Sequence, residues 1–284
     1  MKHAFSVDLE DWYQGIELPF GEWERHPARV DIGVGRLLDL LDDAGTKGTF
    51  FALGWIGEKH PALIKEIARR GHELGSHGRT HEKLYNLTPE QFREEIRSSK
   101  AVLEDLSGKP VRCFRAPFFT VTEKTLWALD ILSKEGYAID CSMSPVKTWR
   151  YGIANCPREI FRLSDSGLIE FPSSTFRMLG KDLNVGGAYF RIFPYFLSRS
   201  GLRDQERAGR PGMFYSHPWE YDPEHPRVKM EWKAGLTHYA RLTQMGPNTR
   251  RLLADFEFAP VSEVVNDYVR SHELRSVGDD LFRR

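Results

Sequence analysis

The chain has 284 residues, enough for one large α/β domain or two smaller ones with a sizeable core. Its 40 basic and 40 acidic residues cancel, so no global field points to nucleic acid or to an anionic membrane. Three cysteines, Cys113, Cys141 and Cys156, are too few and too scattered for a disulfide framework or a CxxC metal site, and they read as buried reduced thiols.

In chain order, "AFSVD" (4–8) reads as a buried strand, which leaves no room before it for a signal peptide. No stretch approaches the ~18 uninterrupted apolar residues of a membrane span. The expectation is a soluble, cytoplasmic protein. "VGRLLDLLDDAG" (34–45) has leucines at helical spacing and ends at Gly45. "KGTFFALG" (47–54) is a strand, "HPALIKEIARRG" (60–71) an amphipathic helix with Pro61 in its first turn, and "HELGSH" (72–77) a short strand. The helix over 87–108 is the best marked: Thr88 and Gln91 form a capping box, Pro89 follows the cap, and Gly108 closes the end.

The beat continues with a strand in "VRCFRAP" (111–117) and a helix over 122–136. Further strands are expected in "YAIDCS" (137–142), "LIEFPSS" (168–174), "GMFYSH" (212–217) and "FEFAPVSEVV" (256–265). Eight strands mostly separated by helices predict parallel βαβ units closed, or nearly closed, into a barrel. Segments 143–165 and 175–211, with Pro and Gly, read as irregular insertions over one barrel face. A single domain over 1–284 is expected, with a core of about 3–265 and a tail over 266–284.

Barrels of this kind carry their chemistry where strands end and loops begin. Asp8, Glu10 and Asp11 follow the first strand, His77 and His81 the third, Arg115 the fourth, Asp140 the fifth and His217 the seventh. In "GSHGRTH" (75–81) two histidines four apart can present two imidazole nitrogens to one metal. Two imidazoles and one carboxylate would make a three-ligand site with a position open for water, the arrangement of a hydrolytic centre. On an extended chain Asp8 and Glu10 point to the same side, so one of them can bind metal and the other can stand beside the water as its proton acceptor. A metal between them also removes the repulsion among three crowded carboxylates. Arg115 in "RAPFF" can orient a carboxylate, and Pro117 aims the amide of Phe118 at the cleft, where it can support an oxyanion. In "YSHPWE" (215–220), His217 can protonate a leaving nitrogen and Trp219 can stack on a sugar face.

Together "SVDLEDW", "TFFALGW", "GHELGSHGRTH", "FRAPFFT", "YAIDCSMSP" and "FYSHPWE" resemble, in order, the motifs of the NodB-homology polysaccharide deacetylases, carbohydrate esterase family 4. The closest branch is similar to the one associated with exosortase-linked exopolysaccharide loci, with a peptidoglycan deacetylase and an allantoinase-like group beside it. The resemblance implies a distorted (β/α)7 barrel and a metal, usually zinc. It also implies removal of an N-acetyl group from an amino sugar of a polysaccharide or its precursor. By the same resemblance His77 and His81 are metal ligands, Asp8 is the catalytic base tethered by Arg115, and His217 is the general acid. The family's usual adjacent aspartates are replaced here by Asp8-Leu9-Glu10-Asp11. The related branch spaces its carboxylates by one residue, which makes Glu10 the third ligand and leaves Asp11 as a second candidate. Asp140 stands in place of part of a more elaborate family motif and is expected to support the site without touching the metal. Two other readings stay open: hydrolysis of a cyclic amide, as in the allantoinase-like group, or an inactive barrel that only binds glycan.

Overall fold

The computed structural model describes residues 1–146, 148 and 150–282. Residues 147 and 149, within the expected insertion at 143–165, and 283–284 of the expected tail lie outside the described residues. The described strands are β1 (His3–Leu9), β2 (Thr49–Ala52), β3 (Glu73–Ser76), β4 (Cys113–Phe114), β5 (Ile139–Asp140), β6 (Phe161–Leu163), β7 (Ile169–Glu170), β8 (Thr175–Met178), β9 (Lys181–Asn184), β10 (Met213–Ser216), β11 (Phe258–Ala259) and β12 (Ser276–Val277).

Seven of them run parallel in the order β10-β1-β2-β3-β4-β5-β7. Every residue of β1 is buried, as expected of a strand covered on both faces. The gap between β7 and β10 is bridged by coil rather than by a ladder. Val185 N donates to Ser174 O at 2.8 Å, and Gly186 pairs with Tyr215. Glycine is required there: at φ 144 a Cβ would fall 2.2 Å from the Tyr215 carbonyl oxygen. The outcome is the distorted (β/α)7 barrel that the resemblance implied.

Local signals account for the helices. Helix 89–107 starts on the Thr88–Gln91 box, with Gln91 N donating to Thr88 Oγ1 at 3.2 Å and Thr88 N to Gln91 Oε1 at 2.8 Å; Gly108 takes φ 65. The segment 256–265 is a correction. Only Phe258–Ala259 is strand, pairing with the start of β1, because Val261, Val264 and Val265 recur at helical spacing and bury one face of helix Val261–Ser271. The segment 175–211 is also regular where irregularity was expected. It holds the β8–β9 hairpin and helices Gly187–Ile192 and Tyr195–Arg207. Helix Val261–Ser271 crosses residue 265, β12 pairs with β6, and Phe282 is buried. No helix among the described residues is long and apolar enough to cross a membrane.

Candidate metal and active site

The C-terminal ends of β1, β3 and β10 and the loop after β4 enclose a cavity of about 420 Å³ bordered by Asp8, Glu10, His77, His81 and His217. β1 ends in a tight turn in which Glu10 N donates to Asp8 O at 3.0 Å. Asp8 Oδ1 accepts from Arg115 Nη1 at 2.6 Å. Arg115 has no solvent exposure, so each donor must be matched inside the protein. Its Nη2 donates to Ser6 Oγ at 2.9 Å and its Nε to Cys141 O at 3.2 Å, and its plane lies 4.2 Å from the Phe51 ring centroid. The guanidinium thereby fixes the Asp8 carboxylate and balances its charge.

His77 follows β3. Its Nδ1 lies 2.7 Å from Arg115 O, so Nδ1–H donates there and the lone pair sits on Nε2. Burial pulls the imidazole down to about 4, which keeps it neutral, the form a metal ligand needs. His81 lies in a loop rather than on a helical turn, with φ 57. That loop is clamped by Glu95, whose carboxylate accepts from Arg79 N at 2.8 Å, Thr80 N at 2.8 Å and Thr80 Oγ1 at 2.7 Å. One ligand atom each from Glu10, His77 and His81 falls within 4.8 Å of the others. His81 Nε2 is 2.8 Å from Glu10 Oε2, yet Oε2 is buried with no aligned hydrogen-bond donor. Burial alone would raise the Glu10 carboxyl; His81, with His217 and His77 behind it, outweighs burial and holds it at about 2. An ionised, orphaned carboxylate oxygen beside two imidazoles is a donor set that fits a divalent cation.

Asp11, the second ligand candidate, is otherwise engaged. Its Oδ1 accepts from Trp12 N at 2.7 Å, and its Oδ2 from Arg29 N at 2.6 Å and Val30 N at 2.9 Å. It caps one helix and pins the start of the next, Val30–Asp43. Asp11→Ala is expected to cost about 1–3 kcal/mol in a denaturant melt while bound metal is retained. Loss of metal at unchanged stability would return Asp11 to the ligand set.

His217 follows β10. Its ring is one-fifth exposed, and its Nε2 stands 3.9 Å from Asp8 Oδ2 and 3.8 Å from Glu10 Oε1. Its Nδ1 lies 3.1 Å from Glu220 Oε2, and Glu220 in turn accepts from Arg191 Nε at 2.8 Å. Burial would lower the His217 imidazole, but the bond to Glu220 and its charge, with Glu10 and Asp8, push it up to about 9. Glu220 itself would be raised by burial; His217 and Arg191 hold it at about 2.

Trp219 has a second contact in the site. It borders the cavity but is only 7% exposed, stacked with His217 at 5.2 Å and with His238 at 4.0 Å between centroids. Its Nε1 donates to Glu10 Oε1 at 3.0 Å, so it orients the carboxylate. Phe118 also borders the cavity, at φ 55, and its N–H has no acceptor among the described residues. Its ring lies 4.5 Å from that of His81. Asp140 is buried behind the site, where its Oδ1 accepts from Ser142 Oγ at 2.5 Å. Glu95, Glu220 and Arg191 were missed by sequence reasoning. Only the spacing of Glu220 three residues beyond His217 offered a signal.

Residues 32–138 match the family model "Polysaccharide deacetylase", and residues 141–266 match a domain of unknown function, DUF3473. Among curated relatives, a peptidoglycan-N-acetylglucosamine deacetylase of Bacillus cereus is 29% identical over 117 residues, covering 37% of this chain and 42% of that one. The chain spans less than half the length of such curated relatives. Two solved structures share the fold. One is a Mycobacterium smegmatis protein provisionally named a polysaccharide deacetylase (TM-score 0.68, 19% identity, 97% of this chain and 93% of that one). The other is the Puue allantoinase (TM-score 0.62, 14% identity, 95% and 91%). The cavity draws on both matched segments and on Asp8 and Glu10, which precede them.

Proposed function

We propose that this chain, which matches the polysaccharide deacetylase model over residues 32–138 and the DUF3473 model over residues 141–266, hydrolyses N-acetyl groups from an amino sugar of a polysaccharide or its precursor. The observation that carries this reading is the meeting of Glu10, His77 and His81 at one point beside the Arg115-held Asp8. Glu10, His77 and His81 would hold a divalent ion, zinc or another, which when bound would acidify water and polarise an acyl carbonyl.

The chain's own groups complete the reaction. Asp8, fixed by Arg115, takes the proton of the attacking water as its oxygen bonds to the acetyl carbon. The free Phe118 N–H donates to the oxygen on which charge develops. His217, charged by virtue of Glu220, gives its proton to the nitrogen as the C–N bond breaks, leaving acetate and a free amine. Acetate release from N-acetylhexosamine oligomers by the purified protein tests the proposal. Ring opening of allantoin without acetate release, or sugar binding without turnover, would replace it by one of the two alternatives.

Glu220→Gln addresses His217 separately. An acid must be protonated to act, so kcat/KM falls as pH rises through its pKa, about 9 in the folded protein. Removing the carboxylate is expected to move that basic limb down by about one pH unit or more. An unmoved limb would take His217 out of the acid's role.

A further inference from the structure

Asp140 and Glu170 are neighbours across the β5–β7 pairing, and neither has any solvent exposure. Their outer oxygens are each spoken for. Asp140 Oδ1 accepts from Ser142 Oγ, and Glu170 Oε1 accepts from Met143 N at 3.0 Å. The other two, Asp140 Oδ2 and Glu170 Oε2, are buried and lack any donor. Two carboxyl groups in contact in a dry interior do not both ionise, and one proton between the two orphaned oxygens satisfies both.

We propose that Asp140 and Glu170 share one proton and act as a positioning pair for the segment 115–118. The linkage is direct. Ser142, donating to Asp140, is left with a lone pair that accepts from Ala116 N at 2.7 Å, immediately before the Pro117–Phe118 turn. Cys141 O, one residue earlier, receives Arg115 Nε. Glu170 therefore ties both ends of segment 140–143, and that segment holds the guanidinium on Asp8 and the turn that presents the Phe118 amide. This inference rests on the roles proposed above for Arg115 and Phe118.

The ionisable groups around the pair are few. Arg115 is engaged with Asp8, and the Cys141 and Cys156 thiols are pushed up by burial and stay neutral. Burial raises the Asp140 carboxyl to about 6, and raises Glu170 well above the usual carboxylate range, with Asp140 adding to it. The sign follows from linkage. Unfolded carboxyls lose their protons near pH 4–4.5, whereas the folded pair keeps one, so rising pH destabilises the wild-type fold until the pair ionises. Glutamine at 170 supplies a permanent N–H to Asp140 Oδ2 and an oxygen to Met143 N, with no proton to lose.

Three measurements test the pair. Difference infrared spectra of wild type minus Glu170→Gln at pH 8 are expected to show the carbonyl stretch of a neutral carboxylic acid. Between about pH 6 and 8, where the folded pair keeps one proton, the folding equilibrium of wild type is expected to move against Glu170→Gln by up to about tenfold per pH unit. Glu170→Ala and Ser142→Ala are expected to lower kcat by about 10–100-fold with KM little changed, while Glu170→Gln restores turnover to within a few-fold. No acid band together with a stability gap that is flat in pH would overturn the shared proton. Equal losses in Glu170→Gln and Glu170→Ala, or an unchanged kcat in Ser142→Ala, would overturn the positioning role. The first two measurements need no activity, so a failed deacetylase reading is distinguishable from a failed pair.

Discussion

Glu10→Ala is expected to lose stoichiometric metal and acetate release together, with metal affinity down by more than about 100-fold. The expectation follows from how the side chain is held. Glu10 is 3% exposed, with one oxygen fixed by Trp219 Nε1 and the other facing His81 with no aligned donor. An ionised carboxylate in so dry a place is costly unless a cation is its partner. Removing it leaves only two imidazoles, a weak site for any divalent ion. Glu10→Gln separates charge from shape, because the amide oxygen can still accept from Trp219. Metal analysis beside an acetate assay checks both variants, and full metal occupancy in either would remove Glu10 from the ligand set.

Asp8→Asn is expected to keep its metal and lose about 10²–10⁴ in kcat, the usual range for removing a general base. Asparagine still offers an oxygen to Arg115 Nη1, so the fully buried guanidinium keeps an acceptor and the fold survives. What disappears is the capacity to take up a proton. The contrast with Glu10→Ala is the diagnostic: one variant loses metal and turnover, the other turnover alone. Wild-type turnover in Asp8→Asn would take the base's role away from Asp8.

The sequence made the barrel legible because buried parallel strands read as short apolar runs and the helices between them carry caps, as at Thr88, Gln91 and Gly108. It was less informative where two periods compete. "FEFAPVSEVV" is apolar enough for a strand, yet its valines fit a helix, and Pro260 marks the switch. Asp8, Glu10, His77 and His81 could be listed from strand ends and spacing, since each lies close in sequence to an element that positions it. Spacing already favoured Glu10 over Asp11; what the sequence did not reveal is that Asp11 accepts from amides 18 and 19 residues away. Glu95, Arg191 and Glu170 act through contacts distant in the chain and leave no local pattern. Trp219 shows the limit of residue type as a guide: an aromatic side chain beside a cleft suggested stacking on sugar, and its hydrogen bond to Glu10 became visible only in the packing.

Every catalytic role assigned above depends on a cation joining the first and third strands. Anomalous diffraction from crystals of the zinc-loaded protein measures that directly. The account predicts a single strong peak bonded to Glu10, His77 and His81, within reach of Asp8 and His217. A zinc-loaded crystal with no peak between those three side chains, or with its ion held by Asp11, would contradict it.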